Sequence, residues 1–209
     1  MSKVDTTFFE LALKSNALLL GDFTLKSGKK SPYFFNIGSF FSEGHIEGLA
    51  ALYSEIILSG EFEFDVIFGP AYKGIPLAAA VSTSLSMKTS RPIPFAFDRK
   101  EEKSHGEGGN IVGEVKDKKV LILDDVLTAG TALKQSMEII SNAGGKITGC
   151  MVALDREEMF DQITARDKIS KEFDLEITSI ARISQLIDFF DLSGRKDEAK
   201  VIRNYLSNL

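Results

Sequence analysis

The chain has one cysteine, Cys150, and two histidines, His45 and His105. One thiol excludes an intramolecular disulfide framework and a cysteine-rich zinc site. Two imidazoles exclude a multi-histidine metal cage. Positive charge is also short: 25 Lys and Arg against 30 Asp and Glu leave a formal net charge of −5. That balance gives no general reason to expect nucleic acid or an anionic membrane as partner, so any anion must meet a local patch. Long apolar runs are missing too. The longest, Ile75 to Val81, contains Pro76, and a membrane helix needs about 20 apolar residues. The first segment is broken by Asp5, Glu10 and Lys14, where a secretory signal would keep its centre apolar. The expected compartment is the cytoplasm.

What is present is a foldable chain of 209 residues with 44% hydrophobic content. A chain of this length hides roughly 70–75% of its unfolded surface and needs no covalent staple. The first segment reads as an amphipathic helix, with Val4, Phe8, Leu11, Leu18 and Leu19 near one face. Thr7-x-x-Glu10 and Ser2-x-x-Asp5 compete as its capping box. Residues 21–41, rich in Gly, Ser and Phe, read as turns and short strands, and 45–59 as a helix. From residue 65 short apolar runs alternate with helical patterns. Strands are expected at 65–69, at 93–97 near a sheet edge, and at 120–123, 147–154 and 176–181. Helices are expected after Gly74, with Pro76 in the first turn, and from about 131 to Gly144-Gly145. Residues 183–207 read as two helices divided near Ser193-Gly194. The alternation argues for βαβ units and a mostly parallel sheet. The expected organisation is one domain: an N-terminal segment to about 62 as an appendage over one end, a core at 63–182, and C-terminal helices at 183–209.

The chemistry is densest in VLILDDVLTAGTA, residues 120–132. An apolar strand runs into paired carboxylates, Asp124 and Asp125, and the turn Thr128-Ala129-Gly130-Thr131 opens a helix. Ligands of open α/β sheets sit at the carboxyl ends of strands. Free N–H groups at a helix start favour phosphate. Carboxylates repel phosphate, so they must face something else, such as sugar hydroxyls or a metal. The combination reads as a site for a phosphorylated sugar, since a helix cap would need one Asp and not two.

Two nucleotide-binding readings fail on their motifs. A phosphate-binding loop of the form G-x-x-x-x-G-K-[ST] needs glycine at position 23 and Ser or Thr after Lys29. The chain has Phe23 and Lys30 there. The dinucleotide fingerprint fails because Gly106-x-Gly108 is followed by Ile111 at the required glycine.

VLILDDVLTAGTA resembles the phosphoribosyl-diphosphate (PRPP) motif of type I phosphoribosyltransferases. Phe23 to Asn36 (FTLKSGKKSPYFFN), Phe68 to Gly74 (FGPAYKG) and Arg99 to Gly109 (RKEEKSHGEGG) narrow the resemblance to bacterial orotate phosphoribosyltransferases. Four motifs in order at family spacing are specific, and they reach from the N-terminal helix to about residue 156. The fold implied is α/β, a type I phosphoribosyltransferase sheet flanked by helices with an N-terminal hood.

The resemblance implies PRPP contacts from Lys26, Tyr72, Lys73, Arg99, Lys100, Lys103 and His105, and from Asp124, Asp125, Val126, Leu127, Thr128, Ala129, Gly130, Thr131 and Ala132. It implies orotate contacts from Phe34, Phe35, Thr128 and Arg156. Physical readings stand beside these. Backbone N–H groups and the Lys73 ammonium suit a diphosphate, and the resemblance implies an unusual peptide geometry at Ala71–Tyr72. The cations of 99–109 lie beside glycines, and a cationic loop of that kind can close over a diphosphate and exclude water. In the family this loop reaches the neighbouring subunit's site, which implies a homodimer with shared sites. Phe34 and Phe35 cannot both enter one core, because consecutive strand residues face opposite ways. The planar guanidinium of Arg156 fits a carboxylate bidentately. Lys29 and Lys30 are expected in solvent, and His45 at a helix start. Cys150 is expected as inert packing.

The expected reaction makes orotidine 5′-monophosphate and diphosphate from orotate and PRPP. Mg²⁺ is held mainly by substrate oxygens, near Asp124 and Asp125. The work of the protein is to stabilise charge on the leaving diphosphate and at the anomeric carbon. Lys103, Asp124 and Asp125 are the expected catalytic groups. The rivals are a non-catalytic PRPP sensor and a purine phosphoribosyltransferase. The loop cations, which a sensor could lose, speak for the enzyme.

Overall fold

The computed structural model describes residues 2–25, 28–99, 110–160 and 162–207. The chain opens with α1 (Lys3–Lys14), a hairpin of β1 (Leu18–Thr24) and β2 (Lys30–Phe35), then α2 (Gly38–Ser42) and α3 (Ile46–Ser59). Alternation follows: β3 (Val66–Gly69), α4 (Gly74–Thr89), β4 (Phe95–Asp98), β5 (Ile111–Val112), β6 (Lys119–Leu127), α5 (Thr131–Asn142) and β7 (Lys146–Asp155). A short hairpin of β8 (Met159–Phe160) and β9 (Ile163–Thr164) leads to α6 (Ala165–Phe173), β10 (Ile177–Arg182), α7 (Ile183–Leu192) and α8 (Lys196–Leu206). No helix among the described residues is long and apolar enough to cross a membrane.

The main sheet has the order β10-β7-β6-β3-β4-β5. All its neighbours are parallel except β4 and β5. Its central strands are covered on both faces, so they read as unbroken apolar runs. Leu121, Leu123, Met151 and Ala153 face one core, shared with Phe8, Tyr53, Leu77 and Phe190. Val120, Ile122, Cys150 and Val152 face the other, with Leu133, Ile140 and Ile169 from α5 and α6.

Several expectations need correction. The N-terminal segment does more than sit over one end: its hairpin forms a separate two-stranded sheet, while α1 and α3 contribute Phe8, Phe9, Leu49 and Tyr53 to the core on one sheet face. Its helix stops at Lys14, because Asn16 takes a left-handed conformation, φ 54°, and Leu18 and Leu19 begin a strand. The capping box is the Ser2–Asp5 pair, with Asp5 N–H donating to Ser2 Oγ (3.1 Å) and Ser2 N–H to Asp5 Oδ2 (2.8 Å). β4 does lie near the edge, with only the two-residue β5 outside it. The hairpin β8–β9 and helix α6 were not foreseen, because their segment has too few apolar residues to show a period. Strand β6 runs through the Asp pair to Leu127 instead of ending at Leu123, as β7 continues to pair with it up to Asp155.

Candidate active site

The carboxyl ends of β3, β4, β6 and β7 meet at one edge of the sheet, where their parallel direction puts them. β3 pairs with β6 only as far as Ile122. Beyond that point β6 keeps one neighbour, and Asp124 and Asp125 stand half-buried beside the gap.

The segment after β3 makes a tight loop around a cis peptide bond between Ala71 and Tyr72. Gly69 permits it, since a Cβ there would collide with the carbonyl of Gly74. Ala71 N–H donates to the buried Asp98 at the end of β4 (2.7 Å). Tyr72 is largely exposed. The Lys73 ammonium stands between two elements, 3.1 Å from Asn36 Oδ1 and 3.5 Å from Asp125 Oδ2.

The paired carboxylates order their own strand end. Asp125 N–H donates to Asp124 Oδ1 and Val126 N–H to Asp125 Oδ1, both at 2.8 Å. Burial, and then the neighbouring Asp125 carboxylate, push the Asp124 carboxyl up to about 7. Asp125 lies beside the Lys73 ammonium, so the two acids stand in different surroundings.

Val126 and Leu127 lead to Thr128, exposed Ala129 and buried Gly130. Gly130 has φ 75°, and a Cβ on it would run into Ile169 of α6. Only glycine lets the loop lie this close to that helix. The first backbone bond of α5 is Lys134 N–H to Gly130 C=O, 3.0 Å. The N–H groups of Thr131, Ala132 and Leu133 therefore lack an intrahelical acceptor. Under the loop, Asp124, Thr128, Gly130 and Cys150 border a cavity of about 30 Å³. Burial holds the Cys150 thiol well above its ordinary pKa, as suits inert packing.

β2 joins these parts. Phe34 and Phe35 face opposite ways: Phe34 is exposed and packs on Phe23 (centroids 5.6 Å), while Phe35 is buried against Phe8 (6.1 Å). The Phe35 ring thus belongs to the core. Tyr33, wholly buried, carries Arg156 over its ring, with Cζ 4.9 Å from the centroid. Arg156 follows β7, and its N–H donates to Leu127 C=O (3.2 Å). Its pair with Glu158 spans 3.4 Å, while Nε and Nη2 are buried without a hydrogen-bond partner among the described residues.

Comparison with known proteins gives this edge its family. The phosphoribosyl transferase domain family matches residues 42–183. The orotate phosphoribosyltransferase of Kluyveromyces lactis is 45% identical over 207 residues, 95% of this chain and 92% of that protein. The orotate phosphoribosyltransferase of Marinobacter nauticus is 47% identical over 183 residues, 87% of this chain and 86% of that one. The crystal structure of the Francisella tularensis orotate phosphoribosyltransferase superposes with a TM-score of 0.83 at 38% identity, covering 98% of each chain. The chain belongs to the orotate phosphoribosyltransferase family. An orotate phosphoribosyltransferase moves the 5-phosphoribosyl group of PRPP onto orotate in pyrimidine biosynthesis.

In this chain the described residues bring Tyr72, Lys73, Asp124, Asp125, the 126–132 loop and Arg156 to one edge, and Asn36 joins to it the strand that bears Phe34. Arg99 closes β4, where its N–H donates to Asn110 C=O (2.6 Å). Lys26, Lys100, Lys103 and His105 lie outside the described residues. Four contributors had no signal of their own in the sequence. They are Asn36 and Asp98, which hold Lys73 and Ala71, Tyr53, whose phenol donates to Asp124 C=O (2.7 Å), and Asp155. Asp155 is buried and accepts from Glu157 N–H (2.9 Å), fixing the turn that carries Arg156. Only the Tyr-Phe-Phe run hinted at Tyr33.

Proposed function

We propose that this edge performs the transfer of the 5-phosphoribosyl group from PRPP to orotate as follows. The orotate ring nitrogen forms a bond to the anomeric carbon while the bond from that carbon to the diphosphate oxygen breaks. The nucleophile belongs to the substrate, so the protein has no covalent step to make. Its part is to hold two anions together and to balance charge that moves.

The N–H groups of residues 128–132 take the 5′-phosphate. Asp124 and Asp125 take the ribose hydroxyls and offset positive character at the anomeric carbon. Lys73 and the Ala71–Tyr72 loop take the diphosphate, with Arg99, Lys26, Lys100, Lys103 and His105 as the further cations. Lys103 is the loop residue to which turnover is most sensitive. The proposed assembly is a homodimer in which the 99–109 segment serves the neighbouring site. The proposed compartment is the cytoplasm.

Arg156 takes the orotate carboxylate, with Phe34 beside the ring and the Phe35 backbone and Thr128 at its edge. Mg²⁺ when bound supplies charge neutralisation to the diphosphate. Asp124 and Asp125 are the oxygen donors here that suit it. Magnesium keeps several waters and is usually held by one or two carboxylates together with substrate phosphates, which two such donors suit.

The observation that carries this reading is the meeting of Lys73 with both Asp125 and Asn36. One ammonium there joins the β6 carboxylates to the end of the strand that bears Phe34. The test is PRPP consumption in the presence of orotate, uracil, adenine or hypoxanthine. Orotate alone should drive fast loss of PRPP and release of diphosphate. Faster consumption with a purine base would overturn the assignment.

A further inference from the structure

We propose that Tyr33, backed by Tyr205 of α8, is a positioning residue that sets affinity for orotate by fixing the plane of Arg156. The proposal rests on the reading of Arg156 as the orotate carboxylate ligand.

A bidentate grip on a carboxylate needs a guanidinium whose plane is already set. Hydrogen bonds usually set it, but here Nε and Nη2 of Arg156 make none among the described residues. The ion pair to Glu158 is long, 3.4 Å at Nε. What lies against the group is the ring of Tyr33, with Cζ 4.9 Å from its centroid. A cation over an aromatic face is attracted by the ring quadrupole, and more so when both are desolvated. Tyr33 has no exposure and Arg156 only 8%. The phenol stays uncharged, since burial pushes it far above its ordinary range.

A second ring supports the first. Tyr205 meets Tyr33 edge-on, with centroids 5.9 Å apart and planes at 85°. The run Tyr205–Tyr33–Arg156 links α8 to the end of β7. It gives the C-terminal helix, which carries no proposed ligand contact, a place in substrate selection. Tyr205 also lines an open groove with Phe23, Lys30 and Val201. Its ring is only partly buried against the core on one sheet face, so shortening it widens that groove and removes one contact at the margin of that core.

The test compares Arg156→Ala, Tyr205→Ala, Tyr205→Phe and the double variant Arg156→Ala/Tyr205→Ala, measuring KM for each substrate, kcat and Tm. Tyr205→Ala should raise the orotate KM roughly two- to thirtyfold, the span of a weakened cation–π contact. The PRPP KM should stay within about twofold, and Tyr205→Phe should restore the orotate KM. In the Arg156→Ala background Tyr205→Ala should add nothing, as two residues acting through one contact are non-additive. A Tyr205→Ala variant that raises both KM values alike, or only lowers Tm, overturns the positioning role. So does full additivity in the double variant. If Arg156→Ala itself spares the orotate KM, the ligand assignment of Arg156 fails. That result is distinct from an orotate-selective Arg156→Ala beside an indifferent Tyr205→Ala, which overturns only the role of the rings.

Discussion

The phenol of Tyr53 donates a 2.7 Å hydrogen bond to the backbone carbonyl of Asp124, tying α3 to the end of β6. Tyr53 is wholly buried, and burial keeps its proton on by pushing its pKa well above the ordinary value. The bond holds the strand where β3 has stopped pairing with it. Tyr53→Phe leaves that carbonyl without this donor, at a cost of about 1–3 kcal/mol. The expected result is a fall in Tm with a several-fold loss of kcat and little change in the orotate KM. Kinetics equal to the parent enzyme would show that the strand end holds without Tyr53.

The raised pKa of Asp124 has a consequence for stability. In the folded state the carboxyl keeps its proton up to about 7, whereas in the unfolded chain it loses it near 4. The unfolded state therefore binds fewer protons between those values, and this group lowers stability as pH rises through that window. Asp124→Asn keeps the shape and removes the charge. It should match the parent Tm at about pH 4, exceed it at about pH 8 and be poorly active at both. Scanning calorimetry at the two pH values decides; a Tm difference that does not grow with pH would contradict the assigned shift.

Asp125 differs from its neighbour, because its carboxylate faces the half-exposed Lys73 at 3.5 Å. Such a pair adds only about 0–1 kcal/mol to stability. Asp125→Asn should leave Tm nearly unchanged while turnover falls by roughly a hundredfold or more, the usual loss for a charge-stabilising group. A collapse of Tm with little kinetic defect would make the Asp pair structural.

The expected service of the 99–109 segment to a neighbouring site can be tested by mixing subunits. Lys103→Ala and Asp125→Asn, each nearly inactive alone, are unfolded together in equal amounts and refolded. Random pairing makes about half the dimers hybrids, each with one intact site if the segment crosses over, so roughly a quarter of parent activity should return. A mixture as inactive as its parents, with hybrids shown to form, would sink the shared site.

The strand–helix alternation, the parallel sheet and the loop that opens α5 were legible in the sequence, because each rests on neighbours along the chain. Apolar runs for doubly covered strands, Gly130 at the start of α5 and Gly144-Gly145 at its end are local chemistry. The residue types Asp124, Asp125, Lys73 and Arg156 were legible there too, and the family resemblance attached to them the sugar, diphosphate and carboxylate roles proposed above. Where β6 ends was not legible: Asp124 and Asp125 have little strand propensity, and only the continued pairing with β7 carries the strand through them. Nor were Tyr53, Asn36, Asp98 and Tyr205. A tyrosine at helical spacing reads as core, and Tyr53 is core; that its hydroxyl meets a carbonyl 71 positions away depends on how α3 lies on the sheet. The tertiary structure alone decided which buried polar atoms found partners. The sequence determined the chemistry available at the sheet edge, and packing determined which side chains hold it in place.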